Sequence, residues 1–390
     1  MWHIFVRFLS LGLVSFGGPA AHIGYFRQTF VGDLQWLDDK HYASLVALSQ
    51  FMPGPGSSQV GFAIGYHRGG LLGGLAAFVG FTLPSFCLLF LLAVTSAQWL
   101  DNGVFLGAIY GLKLLAVVVV ADAVWIMFNQ FCRKRLAKIL MLTSSVLLIL
   151  HGSLLSQMLI LLVAALVGVK YLSPIDASDV FSEAEAETKP IRLGYVWLAV
   201  FAILFIASLA LIKMDAHLGQ VFGQFFQAGS LVFGGGHVVL PLLETLVGDA
   251  MTSDRFITGY ALAQAVPGPM FALAAFLGAE LWSQSPLVGA LVATIAIFLP
   301  GFLLMLVALK TWAALSARPK VVGALAGINA CVVGFLVAAL YMPVFTSAVK
   351  VPLDMALVLL GFGCLKLFKP NILFLVVIFA SAGVLVKLLA

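Results

Sequence analysis

Gln50-Phe51-Met52-Pro53-Gly54-Pro55 is answered 214 residues later by Gln264-Ala265-Val266-Pro267-Gly268-Pro269. Three further pairs keep the same order. Phe16-Gly17-Gly18-Pro19 returns as Phe233-Gly234-Gly235-Gly236, Thr82-Leu83-Pro84-Ser85-Phe86 as Phe298-Leu299-Pro300-Gly301-Phe302, and Gly107-Ala108-Ile109-Tyr110-Gly111 as Gly323-Ala324-Leu325-Ala326-Gly327. One such match could arise by chance; four in order mean duplication. The chain therefore reads as an N-terminal repeat (1–172), an acidic linker (173–193), a connecting span (194–213) and a C-terminal repeat (214–390).

Of the 390 residues, 62% are apolar and 9% charged. A soluble chain carries about 25% charged residues, so an ordinary soluble enzyme, a disordered regulator and a disulfide scaffold are excluded. Apolar runs that are continuous rather than alternating exclude a β-barrel and specify an all-α polytopic membrane protein embedded in a lipid bilayer. About 13 spans are expected. Six lie in the first repeat (3–31, 39–66, 71–95, 103–128, 136–151, 153–171) and six in the second (219–248, 253–282, 287–312, 320–344, 352–368, 371–389), with 194–213 between. No cleavage pattern follows the first apolar stretch, which should stay as a span.

The odd central span inserts the second repeat upside down. With the N-terminus inside, fifteen of the 21 Lys and Arg fall on inner segments, Arg68, Arg133, Lys134, Arg135 and Arg255 among them. Five fall on outer segments (Arg27, Lys40, Lys213, Lys350, Lys387) and Lys113 lies within a span, as the positive-inside rule requires. Inverted-topology repeats are a transporter architecture, because exchanging the conformations of two similar halves gives alternating access. The net charge of +5 sits between spans and forms no nucleic-acid-binding face. Cys87, Cys132, Cys331 and Cys364 show no metal or redox spacing and read as small hydrophobes.

Four segments carry a backbone breaker near mid-length: Gly17-Gly18-Pro19, Pro53-Gly54-Pro55-Gly56, Gly234-Gly235-Gly236 and Pro267-Gly268-Pro269. Proline removes a donor and glycine weakens a helix, so these should be discontinuous, either as broken spans or as re-entrant hairpins. Half-helix N-termini left there carry free N–H groups and partial positive charge, which suits an anion. Polar residues cluster at the breaks: His22, Gln50, Ser57, Ser58, Gln59, His237 and Gln264. Neutral donors can bind an oxyanion and release it. Lys113, whose repeat counterpart is Asn329, is expected to neutralise a bound anion, a pair with Asp122 on the opposite helix face being disfavoured. Arg27 either serves the same end or snorkels to the interface. Glu244, Glu280 and Asp354 lie near span ends and should be solvated. No hydrolase, phosphate-loop or metalloprotease motif occurs, and neither an enzyme, a metal nor a cofactor is implied.

The stretches Phe16–Phe26, Gln50–Gly65, Leu83–Phe86, Phe233–Glu244, Gln264–Pro269 and Ile297–Leu304 together resemble the chromate ion transporter superfamily, long two-domain type, almost end to end. The resemblance implies export of chromate from the bacterial cytoplasm across the inner membrane, chromate resistance, and competition by sulfate. It maps the paired Gly/Pro motifs onto the four breaks and places Lys113 and Asn329 in matching Gly-x-Lys and Gly-x-Asn segments. Export also agrees with energetics: a dianion leaving an inside-negative cell gains about 4.6 kcal/mol per 100 mV, roughly a 2000-fold bias. Proton coupling, uptake of sulfate or another oxyanion on the same fold, and a homodimer remain open at this level.

Overall fold

A computed structural model of the chain describes residues 1–96, 99, 102–173, 192–212, 217–233, 239–247, 250–316 and 319–389. Most of the linker, and Gly234, Gly235, Gly236 and His237, lie outside these. Every regular element among the described residues is helical. The first repeat holds α1 (Trp2–Val14), α2 (Gly18–Arg27, extended by a π-helical turn over Gln28–Asp33), α3 (Asp39–Phe51), α4 (Gly56–Ser96), α5 (Gly103–Phe131), α6 (Arg135–Leu150) and α7 (Leu154–Tyr171). After α8 (Arg192–Leu211) come α9 (His217–Leu231), α10 (Val239–Val247), α11 (Ser253–Ala265), α12 (Leu273–Leu281), α13 (Pro286–Ser316), α14 (Pro319–Ala339), α15 (Thr346–Ala348), α16 (Pro352–Phe368) and α17 (Ile372–Leu389). Among the described residues, six helices are long and apolar enough to cross a membrane. Leu150, Leu166, Ile203, Leu360 and Phe374 point outward, the apolar exterior that a bilayer requires.

The breaker motifs make hairpins. Phe8 on α1 packs on Phe26 and Phe30 at ring distances of 5.6 and 4.7 Å, and His3 on Trp36 at 5.6 Å. A helix running on from residue 8 to residue 30 would separate its ends by about 33 Å, so the chain must reverse. It does so at Gly17 and Gly18, whose φ values of 102° and 75° favour glycine. Likewise His41 at the start of α3 meets His67 at 4.8 Å. In the second repeat the Gln224 amide donates to the Leu246 carbonyl (2.7 Å), joining α9 to α10, and Arg255 pairs with Glu280, joining α11 to α12. The segments 3–31, 39–66, 219–248 and 253–282 thus turn back on themselves, which decides between the two alternatives the motifs left open.

The hairpins of the two repeats open at opposite ends of one helix. Non-helical angles at Gly69 and Gly70 divide α4 into a hairpin arm (56–68) and a long helix (71–96). Arg68 lies over the Trp36 ring at 5.6 Å, beside that kink. At the far end Arg255 donates to Ser96 Oγ (2.7 Å). About 40 Å of helix separates the two places, so the halves enter from opposite faces. One expectation is corrected here. Arg27 and Lys40, read as outer, lie on the face of the N-terminus, and Arg255, read as inner, lies on the other, because a hairpin returns the chain to the face it left.

The repeats are not separate bodies in space. Helix α5 of the first packs on α16 and α17 of the second, and α14 of the second on α6 and α7 of the first. Gly107 and Gly111 sit against the backbone of Gly383 and Phe379; Gly323 and Gly327 sit against that of Gly168 and Ala164. Small residues let helices approach closely where no hydrophobic effect drives association. Gly111→Ala and Gly327→Ala should each lower stability by about 1–3 kcal/mol, read as a lower melting temperature in detergent. Gly363→Ala, with open space around it, should instead gain up to about 1 kcal/mol. The hairpin reading is checked by single cysteines at His3 and Asp33 in a background without native cysteines. An impermeant maleimide should label both from the same side, whereas a crossing span would place them on opposite sides.

Candidate functional site

The hairpins of the two repeats meet near their breaks. Gly54 N–H donates to the Val232 carbonyl (2.7 Å), and Gly268 N–H donates to the Ser15 carbonyl (2.9 Å). The tip of hairpin two thus holds hairpin three, and that of hairpin four holds hairpin one, the reciprocal pattern of a two-fold arrangement. Neither glycine can be replaced without a clash. Both have positive φ, and a Cβ would stand 2.7 Å from Gly301 Cα at Gly54 and 2.9 Å from Ser85 Oγ at Gly268. Gly301 and Ser85 are themselves counterparts in the two Leu-Pro motifs. The Gln59 amide braces the crossing by donating to Pro53 O (2.9 Å) and Gly301 O (3.0 Å).

Around this crossing the first repeat supplies buried polar groups. His22, Ser57, Ser58 and Gln59 are all buried, and His22 Nδ1 hydrogen-bonds Ser57 Oγ at 3.2 Å, linking hairpins one and two. His22 stands edge-on to Phe81 at 5.1 Å. His22 Nε2, Ser58 Oγ and Gln59 Oε1 find no partner among the described residues, nor do Ser15 Oγ and Thr82 Oγ1. An unsatisfied buried polar atom costs about 1–3 kcal/mol, and proteins keep such atoms where water or a ligand answers them. The first turn of α4, after Pro55, leaves the N–H groups of Gly56, Ser57 and Ser58 without intrahelical acceptors. Together these are neutral donors and a helix N-terminus, a setting for an oxyanion. The second repeat differs: opposite Ser57, Ser58 and Gln59 stand the apolar Phe271, Ala272 and Leu273.

Other expected site residues lie elsewhere. Gln50 is exposed on the wall of an open cleft, whereas its counterpart Gln264 is buried and hydrogen-bonded to Tyr260. Lys113 is not brought to the crossing; its Nζ pairs with Asp254 Oδ1 at 2.6 Å, at the open end of hairpin four. Asn329 is buried on α14 with Oδ1 unpartnered among the described residues. Asp122 pairs with Lys366, not Lys113. Asp354, expected to be solvated, is fully buried and accepts from the Tyr110 hydroxyl and from Lys350 N (2.7 Å) and Val351 N (3.1 Å), closing the start of α16. Glu280 is held by Arg255, and Glu244 is half-buried. All four cysteines are free, and burial pushes the Cys132 thiol up to about 11. Sequence reasoning missed Ser15 and Thr82. Their only signal was position, Ser15 preceding the first glycine motif and Thr82 opening the first Leu-Pro motif.

Residues 2–169 and 219–385 match the chromate transporter family. The chromate transport protein of Pseudomonas aeruginosa is 28% identical over 97% of this chain and 90% of its own length. That of Cupriavidus metallidurans is 27% identical over 88% and 83%. An uncharacterized transporter of Methanocaldococcus jannaschii, MJ0718, is 28% identical over 86% and 82%. No solved structure matches. Both repeats fall within the matched residues, and the chain belongs to the chromate transporter family.

Proposed function

We propose that the chain exports chromate, and sulfate as a tetrahedral dianion of similar shape, across the bacterial cytoplasmic membrane by alternating access at the crossing of the hairpin tips. The observation that carries this is the group of buried, neutral, unpartnered polar atoms around His22, Ser57, Ser58 and Gln59. The family supports the substrate, and the printed names of two relatives support chromate. A site built of hydroxyls, an amide and backbone N–H groups attracts a dianion without trapping it as a salt.

Orientation follows from charge. With the motif segments folded as hairpins, nine helical segments are left to cross, and the N-terminus shares its face with Arg27, Lys40, Arg68, Arg133, Lys134 and Arg135. Arg255, Lys350 and Lys387 fall on the opposite face. The positive-inside rule makes the first face cytoplasmic. The membrane potential then favours export of a dianion by about 4.6 kcal/mol per 100 mV without a coupling ion. Uptake on the same fold is the rival reading and would need protons or Na⁺ to overcome that bias.

Everted vesicles test both readings. Labelled chromate should enter an inside-positive lumen with no pH gradient, and excess sulfate should compete. Transport that starts only when a proton gradient is added would instead establish a coupled carrier. Ser57→Ala removes one neutral hydrogen bond, worth about 0.5–1.5 kcal/mol, and should raise KM roughly 2- to 12-fold at normal membrane expression. An unchanged KM would remove Ser57 from the site.

A further inference from the structure

We infer that the cleft between α2 and α3 is the cytoplasmic vestibule of the carrier, and that Arg27 captures the oxyanion there; this rests on the oxyanion-carrier reading above. The cleft has a volume of about 540 Å³ and is lined by Ile23, Arg27, Asp39, Tyr42, Val46 and Gln50, among others. On α3 the lining positions 39, 42, 46 and 50 recur at three- and four-residue steps, so one helix face forms the wall. That wall runs about 16 Å from Asp39 at the open end of the hairpin to Gln50, four residues before Gly54 at the crossing. Arg27 stands at the mouth. Its guanidinium pairs with Asp39 at 2.8 Å, and both side chains are mostly exposed, 62% and 65%. A pair that exposed is held loosely, so an arriving dianion can take the place of the Asp39 carboxylate.

The opposite face is built differently. There α11, the counterpart of α3, packs on α5, whereas α3 packs on α2, α4 and α13. The α11–α5 contact is fastened by Lys113–Asp254, with Arg255 held on Glu280 and Ser96 beside it. The counterpart of Arg27, 217 residues on, is Glu244, and that of Lys40 is Asp254. At these two positions the first repeat carries cations and the second carboxylates, of which Asp254 is paired with Lys113 and Glu244 is half-buried. Gln50 is exposed at the inner end of the cleft while Gln264 is buried, which agrees with one open and one closed face.

The test uses the full chain in everted vesicles with labelled sulfate or chromate at varied concentration. Charged clefts raise local ligand concentration about tenfold or more. Arg27→Gln should therefore raise KM about tenfold with kcat little changed, and should flatten the dependence of KM on salt. Arg27→Lys should keep most of the affinity, and Asp39→Asn should lower KM by freeing the guanidinium. In a background without native cysteines, Arg27→Cys should react with an impermeant methanethiosulfonate from the cytoplasmic face alone, and a cationic reagent should restore KM where an anionic one does not. Wild-type flux with an unchanged KM in Arg27→Gln overturns the role of Arg27. So does Arg27→Cys that stays unreactive, or reacts from the periplasmic face. Absence of wild-type flux overturns the oxyanion reading itself.

Discussion

Two backbone hydrogen bonds, from Gly54 N–H to Val232 O and from Gly268 N–H to Ser15 O, join the hairpins of one repeat to those of the other. Irregular backbone at membrane depth has no water to satisfy it and survives only inside protein or beside a water-filled cavity. Each tip would be intolerable alone. In pairs, each satisfies a group of another, and the glycines at the donor positions allow both the turn and the close approach. The polar site is a consequence of the same device. Where hairpins end, helix N-termini are left over, and the first repeat surrounds them with His22, Ser57, Ser58 and Gln59.

The tips need a rigid frame, and the frame is interlocked. Helices α5 and α17 meet backbone to backbone, as do α14 and α7, so each repeat holds the terminal helix of the other. The hairpins and the helices against them, α1–α4 and α9–α13, pack mainly among themselves. Helix α11, on α5, links that group to the frame on one side. The ion pair Lys113–Asp254 spans that link. The duplicated sequence therefore sets up two equivalent faces, while charge substitutions such as Arg27 against Glu244 and Asn329 against Lys113 make those faces unequal.

Much was legible in the residues themselves. Composition determined an all-helical membrane protein, and four ordered motif pairs determined the duplication. The breaks at Gly17-Gly18-Pro19, Pro53-Gly54-Pro55 and Pro267-Gly268-Pro269 were visible because glycine and proline act on their own backbone, a local effect that needs no fold. The family was readable from the same motifs. Ser57 and Gln59 were found because they follow a break directly.

What the tertiary structure alone decided is direction and partnership. Whether a broken helix continues or turns back depends on contacts such as Phe8 with Phe30 and His41 with His67, between residues that no local rule connects. That choice moved Arg27 and Lys40 to the face of the N-terminus and Arg255 to the other. Charges behave the same way. Lys113, isolated in its own apolar run, meets Asp254 from the second repeat, and Asp354 is buried because Tyr110 reaches it from 244 residues away. Local chemistry marks where a chain can bend and which groups are polar. Only packing in three dimensions settles which way it bends and which group answers which.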